Sequence, residues 1–365
     1  SRAIELQPND GANFAARGKV HFELGDYPAA LQDCNRAIEL QPDRAHFYDE
    51  RATIHRELGH DLIAALEDCN RAIELAPRNG DLFFRRARTH RAMGNHQAAI
   101  RDYSNAIELQ PNDGTNFAGR GWTYSLLGDY AAALQDYARA IELQPDQAYF
   151  YDERATIHRE LGHDLNAALQ DCNRAIALNP QSGNYVSWRG WTHYLMGDYS
   201  AALQDYARAI ELQPDRASLF IERATIHREL GHDLIAALED CNRAIELAPQ
   251  NGDLFFKRGA VHLSLGDPES ALSDLSRAIE LQPNDGANFA ARGKVRFEVG
   301  DYAAALQDYN RAIELAPQNG DLFFRRARTH RAMGNPQAAI RDYSNAIELQ
   351  PNDGANFAGR GWTYY

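Results

Sequence analysis

Residues 11–42 read GANFAARGKVHFELGDYPAALQDCNRAIELQP, and they contain one full copy of the pattern from which the architecture follows. Apolar side chains in its second half follow the i, i+3, i+4, i+7 spacing of an amphipathic helix: Tyr27, Ala30, Leu31, Cys34, Ala37 and Ile38. Asp26 precedes this helix as an N-cap, and the first half predicts another helix from about Phe14 to Leu24 that stops at Gly25. The stretch therefore predicts two helices joined by a tight turn and closed by Pro42.

The end of this stretch recurs along the whole chain. The string AIELQP, or a close variant, returns with its proline at Pro8, Pro42, Pro77, Pro111, Pro145, Pro180, Pro214, Pro249, Pro283, Pro317 and Pro351. Seven intervals are 34 residues and three are 35, and the longer ones carry the turn Gly-His-Asp-Leu at Gly59, Gly162 and Gly231. One extra residue in a turn leaves both helices intact, so the helical hairpin is the repeating unit.

Turn and cap residues repeat in register with the hairpin. The counterpart of Gly25 is glycine in all ten complete units, which suits the left-handed residue that closes a helix. The counterpart of Asp26 is always Asp or Asn, whose side chains suit an N-cap: Asp61, Asn95, Asp129, Asp164, Asp198, Asp233, Asp267, Asp301 and Asn335. No proline falls in a helix interior. The sequence therefore predicts an all-α chain of helix-turn-helix repeats.

The residues that recur in each unit also carry a family resemblance. An aromatic residue near the start of the first helix is followed four positions later by Gly or Ala, and then by the pattern of Gly25, Tyr27, Ala30, Ala37 and Pro42. In these positions the chain resembles the tetratricopeptide repeat (TPR) family over essentially its whole length. The resemblance implies an all-α TPR alpha-alpha superhelix, a right-handed solenoid of helix-turn-helix repeats. It implies one continuous array over residues 1–365, with the end of a partial repeat in 1–10, ten complete repeats in 11–353 and the start of a partial repeat in 354–365.

Arginine stands where leucine is frequent in the family, at Arg17, Arg51, Arg86, Arg120, Arg154, Arg189, Arg223, Arg258, Arg292, Arg326 and Arg360. Every complete unit also has an aspartate in its second helix, and we expect structural pairs such as Arg17 with Asp33, Arg120 with Asp136 and Arg258 with Asp274. Ligand recognition is the alternative role. Occurrence in every unit favours the structural pair, because the arginine fork matches a carboxylate geometrically.

Histidines and cysteines each favour one position of the repeat. Eight of the 13 histidines share a position in the first helix: His21, His55, His90, His158, His193, His227, His262 and His330. These histidines could bind a metal ion or could simply pack in the fold. A metal site needs several ligands close together, and no second histidine or cysteine recurs one helical turn away. We therefore expect half-buried packing histidines, no metal and no cofactor. The position shared by Cys34, Cys69, Cys172 and Cys241 holds tyrosine or leucine in other units, which indicates free thiols at an apolar packing site.

Composition narrows the function classes. The chain has 38 basic and 51 acidic side chains among 365 residues, and the net charge of −13 argues against nucleic-acid binding. No apolar run approaches the roughly 20 residues of a membrane helix, so no membrane insertion is expected, and cytoplasmic and exported locations both stay open. No phosphate loop, nucleophile elbow, zinc-protease helix or paired catalytic carboxylates are present. The sequence predicts a protein without catalytic activity.

The family resemblance implies a peptide or partner helix bound on the concave surface, which the first helices line. The family's concave positions fall on Lys19, Phe22, Phe84, Arg88, Arg91, Trp122, Trp191, Tyr194, Phe256, Lys294, Phe297, Phe324, Arg328, Arg331 and Trp362. Aromatic residues and arginine are the types expected at binding hot spots. Packing of these rings against neighbouring first helices is the alternative. Co-chaperone members grip a terminal carboxylate with Lys and Asn, but Arg88 and Arg91 have no matching Asn pair nearby, which argues against that activity.

A structural role is the second function class. Residues 276–311 nearly duplicate 1–36, and residues 312–364 nearly duplicate 72–124. Near-identical units imply near-identical interfaces, which suit a regular rod. Because the sequence begins late in a second helix and stops inside a first helix, we expect either a segment of a longer array or a subunit that stacks head to tail into a filament or fibre. Its partners would then be other copies of itself.

Overall fold

The computed structural model describes residues 2–58, 61–160, 164–231 and 233–364, and every regular element in these ranges is an α-helix. In chain order they are α1 (Arg2–Leu6), α2 (Gly11–Glu23), α3 (Tyr27–Leu40), α4 (Ala45–Leu58), α5 (Leu62–Leu75), α6 (Gly80–Ala92), α7 (His96–Leu109), α8 (Gly114–Leu126), α9 (Tyr130–Leu143), α10 (Ala148–Glu160), α11 (Leu165–Leu178), α12 (Gly183–Leu195), α13 (Tyr199–Leu212), α14 (Ala217–Leu230), α15 (Leu234–Leu247), α16 (Gly252–Ser264), α17 (Pro268–Leu281), α18 (Gly286–Glu298), α19 (Tyr302–Leu315), α20 (Gly320–Ala332), α21 (Pro336–Leu349) and α22 (Gly354–Thr363). From α2 onward, even-numbered helices are the first helices of hairpins and odd-numbered helices are the second.

The ends of the helices follow local side-chain chemistry. The first helix α2 begins at Gly11, three residues before the predicted start at Phe14, because Asp10 caps it by accepting a hydrogen bond from the Ala12 backbone nitrogen. Most second helices are capped as predicted, for example by Asp26 and Asp129. The side chains of Asn95 and Asn335 make no cap hydrogen bond, contrary to the prediction.

Glycine closes the first helices of the described hairpins through the left-handed conformation. Gly25 has φ 77° and Gly128 has φ 77°, and six further glycines at the same position also have positive φ: Gly94, Gly197, Gly231, Gly266, Gly300 and Gly334. This backbone conformation is strained for any residue with a Cβ atom. The predicted turn glycines Gly59 and Gly162 lie outside the described residues.

The chain divides into two compact units, Ser1–Gln181 and Ser182–Tyr365. Within each unit the two helices of a hairpin pack against each other, the second helix packs against the next first helix, and several successive first helices also touch, such as α4 with α6 and α18 with α20. One continuous array across both units stays a prediction from the sequence. None of the helices in the described ranges combines the length and apolar character that crossing a bilayer requires.

The interior of each hairpin is built from small residues around one larger side chain. Ala30 and Ala37 on α3 are fully buried, and Gly18 on α2 approaches them so closely that an added Cβ would lie 3.2 Å from the Ala30 carbonyl oxygen. The larger residue is Tyr103, Tyr137 or a counterpart, each almost fully buried. All four cysteines occupy this same position, and they are buried free thiols as predicted. Burial raises the pKa of Cys34 to about 12.

A bidentate ion pair joins the two helices of every complete hairpin. The arginine Nε donates to one aspartate oxygen at 2.7–3.0 Å and its Nη2 to the other at 2.5–2.8 Å. The pairs are Arg17–Asp33, Arg51–Asp68, Arg86–Asp102, Arg120–Asp136, Arg154–Asp171, Arg189–Asp205, Arg223–Asp240, Arg258–Asp274, Arg292–Asp308 and Arg326–Asp342. Each aspartate is only 2–6% exposed. The planar guanidinium of arginine can bind both carboxylate oxygens at once, which the single ammonium group of lysine does not match.

The same arginines also connect successive hairpins, which the sequence did not reveal. Arg86 Nη1 donates to Asn70 Oδ1 on the preceding second helix at 2.9 Å, and Arg120 Nη1 donates to Ser104 Oγ at 3.0 Å. The Arg86 guanidinium also lies 5.5 Å from the ring centroid of Phe83, within the range of a cation–π contact. One side chain therefore links three helices.

The eight recurring histidines are half-buried, and five of them lie within 4.0 Å of an aspartate of their own hairpin: His21, His90, His193, His262 and His330. His90 Nε2 lies 3.8 Å from Asp102 Oδ2, and its buried Nδ1 has no hydrogen-bond partner. His330 has the same surroundings beside Asp342. Burial lowers the pKa of both histidines, although the neighbouring aspartates oppose this shift. The neutral form is therefore favoured in the folded state.

Because the pKa values of the half-buried His90 and His330 are lowered, we expect the fold to lose stability on acidification. A histidine whose folded pKa is depressed stabilises the fold fully above its unfolded pKa, near 6.5, and loses that contribution as pH falls toward the folded value. We expect the melting temperature of the wild type to fall from pH 7.5 to 5.5 by on the order of 1–2 °C more than that of a His90→Gln/His330→Gln variant. Calorimetry across this pH range measures both melting temperatures.

Buried carboxylates such as Asp152, whose pKa burial raises to about 6, titrate in both proteins, so their effect cancels in the comparison. Parallel curves for the two proteins would contradict the assignment.

Candidate functional site

The fifteen residues predicted to line the concave surface all lie on first helices, and none of them is buried. Six are exposed: Lys19, Trp122, Lys294, Arg328, Arg331 and Trp362. Nine are half-buried: Phe22, Phe84, Arg88, Arg91, Trp191, Tyr194, Phe256, Phe297 and Phe324. We call the surface formed by the first helices of one compact unit its first-helix face.

Four clefts on these faces share one construction. Two or three successive first helices form the walls, and a residue of an intervening second helix at the position of Cys34 lies at the floor. The floors are Cys34, Tyr103, Tyr206 and Tyr309, and each cleft is named after its floor. The interchange of cysteine and tyrosine at one packing position therefore changes the base of a surface cleft from one unit to the next.

The Tyr103 cleft brings together four of the predicted residues: Phe84, Arg88, Arg91 and Trp122. The Arg91 guanidinium carbon lies 3.8 Å from the Trp122 ring centroid, and Phe84 meets the Tyr103 ring edge to face at 5.5 Å. Trp122 keeps 44% of its surface exposed. An exposed tryptophan ring with a guanidinium lying on its face offers both charge and apolar surface. It therefore suits a partner that has charged and apolar groups.

The Tyr206 cleft contains Trp188 and Trp191 on one wall and Glu222 on the other. Trp191 stacks on Tyr194 at 5.0 Å with an interplanar angle of 19°, and the Tyr194 hydroxyl donates to Glu229 Oε2 at 2.6 Å. Burial raises the pKa of Glu222. This cleft therefore places two indole rings beside a carboxylate and has one arginine, Arg216, where the Tyr103 cleft has two.

The Cys34 and Tyr309 clefts each combine a lysine and a phenylalanine from the predicted set. Lys19 and Phe22 line the first, and Lys294 and Phe297 line the second together with Arg328. Phe22 also contacts Tyr27 at 5.7 Å, and Phe297 contacts Tyr302 at 5.3 Å. These two rings therefore serve both the packing of their own hairpin and the wall of a cleft.

Five predicted residues lie outside these four clefts: Tyr194, Phe256, Phe324, Arg331 and Trp362. Phe324 packs edge to face against Tyr343 at 5.7 Å. Trp362 is 75% exposed on α22.

Several cleft residues were absent from the sequence prediction, among them Asp49, Glu50, Tyr149, Glu153 and Trp188. Trp188 precedes Trp191 by three residues on one helix, a spacing that already placed both on the same face. The acidic residues gave no such signal, because a carboxylate on a helix surface is ordinarily solvated. Burial raises the pKa of Glu50 and of Glu153.

The acidic, histidine and cysteine side chains of the described residues are the candidates for metal binding or nucleophilic chemistry. Among the residues that the structure describes, no group of three or more His, Cys, Asp or Glu side chains is placed to hold a metal ion. Burial raises the pKa of Cys69 to about 11 and the pKa of Cys241 to about 12, so the thiolate forms of these two cysteines are disfavoured.

Comparison with protein families identifies the repeat. One tetratricopeptide repeat model matches residues 118–183, 256–320 and 290–354, and others match 14–44, 81–146 and 184–216. Together these matches cover well over half of the 365 residues. The chain belongs to the tetratricopeptide repeat family. The predicted family and the all-α class of paired helices are therefore confirmed, with about ten TPR units.

Solved TPR structures show the same fold at low sequence identity. A TPR protein from Parabacteroides merdae has a TM-score of 0.54 at 17% identity, covering 69% of this chain and 99% of its own. The C-terminal part of a TPR protein from Cytophaga hutchinsonii has a TM-score of 0.53 at 18% identity, covering 66% and 97%. A chain of the Cut9–Hcn1 hetero-tetramer has a TM-score of 0.51 at 15% identity, and the match covers 97% of this chain and 76% of that one. A search of curated protein sequences gives no significant match.

Proposed function

We propose that this TPR chain is a non-catalytic scaffold that binds an extended peptide or a partner helix along its first-helix faces. The observation that carries the proposal is the shared construction of the four clefts, each walled by successive first helices and open to solvent. A ligand that runs across several first helices meets one cleft after another, which suits an extended chain.

The composition of the clefts supports a protein partner. Tryptophan, tyrosine and arginine dominate hot spots at protein interfaces, and they line the Tyr103 and Tyr206 clefts. The net charge of −13 opposes binding along a phosphate backbone. We therefore place the partner among peptides and proteins rather than nucleic acids.

The proposal predicts that a change on a first-helix face weakens binding while a similar change on a second helix does not. A peptide selected against the whole chain from an unbiased display library serves as the ligand, and calorimetry measures its affinity. For a ligand that protects Trp191 from oxidation, we expect Trp191→Ala to weaken binding by about tenfold or more.

Ile235→Ala is the matched control, because Ile235 is 60% exposed on the second helix α15 of the same compact unit. We expect this variant to bind within about twofold of the wild type. Equal losses in both variants, or a library that yields no ligand for any first-helix face, would count against the scaffold.

Self-assembly is a second candidate function, favoured by one observation. Residues 276–311 nearly duplicate 1–36, so the chain repeats the same hairpin surfaces at distant positions. Light scattering over a concentration series separates the two candidates. A scaffold keeps one particle mass, whereas a head-to-tail filament grows in length as concentration rises.

A further inference from the structure

Three arginines converge around the floor of the Tyr103 cleft in a chain that is otherwise acidic. Arg88 and Arg91 from α6 line the cleft, and Arg56 from α4 lies on the same oxygen of Glu57 as Arg88 does. Arg56 is only 9% exposed. The cluster therefore concentrates positive charge at one point of a protein whose net charge is −13.

Carboxylates near the cluster leave most of its donors unused. Glu57 is shared between two guanidiniums, with Oε1 at 3.7 Å from Arg56 Nη2 and 3.8 Å from Arg88 Nη2, distances too long for hydrogen bonds. In the described ranges, Arg91 has no carboxylate within ion-pair distance and rests on Trp122 instead. Glu153 lines the opposite wall, and Tyr137 lines the same cleft.

Buried polar atoms in this cluster also lack partners. The Tyr103 hydroxyl and the Nε and Nη1 atoms of Arg56 are buried without a hydrogen-bond partner in the described structure. An unpaired buried donor costs on the order of 1–3 kcal/mol. Such donors are retained at sites where another molecule completes them.

The number of donors decides which anion fits. The Arg88 fork, the free edge of Arg91 and the Tyr103 hydroxyl together exceed what the two oxygens of a carboxylate can accept, whereas a phosphoryl group offers three terminal oxygens and up to two charges. Phe84, Trp122 and Tyr149 supply apolar surface beside these donors for a neighbouring side chain. Position 119 must be glycine for the Tyr103 ring to lie here, because a Cβ atom at that position would be 2.5 Å from Tyr103 Cε1.

We infer that the Tyr103 cleft binds the phosphorylated serine or threonine of an extended peptide, with the phosphoryl group on Arg88, Arg91 and Tyr103 and an adjacent apolar side chain on Trp122. This inference rests on the proposed scaffold function and specifies the ligand of one cleft. Arg56, which shares Glu57 with Arg88, adds a third positive charge near the cleft.

The chain holds its own matched control. Residues 312–364 nearly duplicate 72–124, so Arg328, Arg331 and Tyr343 repeat the arginine pair and the tyrosine. In that copy the counterpart of Arg56 is Phe297, and the Arg328 guanidinium carbon lies 5.1 Å from its ring centroid. The third arginine is therefore replaced by an apolar ring.

Fluorescence polarisation with labelled ten-residue amidated peptides tests the inference. The probes carry one phosphoserine-Phe pair, and matched peptides carry Glu-Phe or Ser-Phe. We expect the phosphopeptide to bind at least about tenfold more tightly than either, to be displaced by inorganic phosphate, and to lose affinity as salt rises. Equal binding of the glutamate peptide, or no phosphopeptide binding at 1 mM protein, would overturn the assignment.

Variants locate the site. Arg88→Ala/Arg91→Ala should lower affinity by about tenfold or more, and Arg91→Lys by less, because lysine keeps the charge but lacks the fork. Tyr103→Phe should weaken binding about threefold without lowering the melting temperature, since the hydroxyl has no partner to lose. Arg328→Ala/Arg331→Ala should stay within about twofold of the wild type.

Two results would separate this inference from the scaffold function. If Arg328→Ala/Arg331→Ala weakens phosphopeptide binding as much as the first pair does, the three-arginine cluster is not the site. If a library-selected peptide binds a first-helix face while the phosphopeptide does not bind at all, the scaffold stands and the phosphoryl assignment fails.

Discussion

Asp136→Ala is expected to destabilise the chain by about 2–4 kcal/mol. Asp136 receives two hydrogen bonds from Arg120, at 2.8 Å each, and its side chain is only 9% exposed. Removal of Asp136 leaves the charge of Arg120, whose side chain is only 21% exposed, without its carboxylate, which costs more than the pair contributes. The Arg120 side chain keeps its bond to Ser104, so the loss is smaller than for a fully buried pair.

Glu142→Ala on the same helix is the matched control. Glu142 accepts a hydrogen bond from Arg139 at 2.8 Å, but the two side chains are 65% and 48% exposed. Exposed pairs of this kind contribute little, so we expect a change within about 0.5 kcal/mol. Thermal and urea unfolding followed by circular dichroism measure both variants. Equal stability of Asp136→Ala and the wild type would show that the recurrent pair does not hold the hairpin.

Gly121→Val is expected to cost about 3 kcal/mol by forcing α8 and α9 apart. A Cβ at Gly121 would lie 3.2 Å from Asp136 Cβ and 3.3 Å from the Ala133 carbonyl oxygen, and valine adds two methyl groups beyond it. The backbone atoms of α9 cannot yield as a flexible side chain would, so overpacking is relieved only by moving the helix.

Gly259→Ala tests the same position of the repeat with the opposite expected sign. Its nearest neighbours would lie 3.4–3.5 Å from the added Cβ, which is ordinary contact. Alanine also occupies this position in other units, as at Ala52 and Ala155. We expect a gain of about 0.5–1 kcal/mol, because alanine forms helices better than glycine. Urea unfolding measures both variants, and destabilisation by Gly259→Ala would contradict the packing described for α16 and α17.

The hairpin was predictable because its signals are local. The spacing of Tyr27, Ala30 and Cys34 defines one apolar stripe, and Asp26 and Gly25 define the turn within two residues. The start of α2 was placed three residues late, because the Asp10 cap acts ahead of the apolar pattern that the prediction followed. The local signals therefore predicted the type of each element more accurately than the residue at which it begins.

The clefts were less predictable, because each combines at least three helices from successive repeats. Family positions put Arg88 and Trp122 on first helices, but they could not show that Arg91 lies on Trp122. The approach of Arg56 and Arg88 to the same Glu57 oxygen depends on how one hairpin packs on the next. Sequence periodicity specifies the face of a helix, whereas contacts across a cleft depend on packing between hairpins.

Photo-crosslinking of a bound peptide shows which helices the peptide touches. A peptide selected against the whole chain, with benzophenone placed in turn along its length, is irradiated in complex and its adducts are located by mass spectrometry. If the first-helix faces bind the peptide, we expect adducts on successive first helices, at or beside cleft residues such as Phe84, Trp122 and Trp191. Adducts confined to second helices, or to the turns between hairpins, would contradict it.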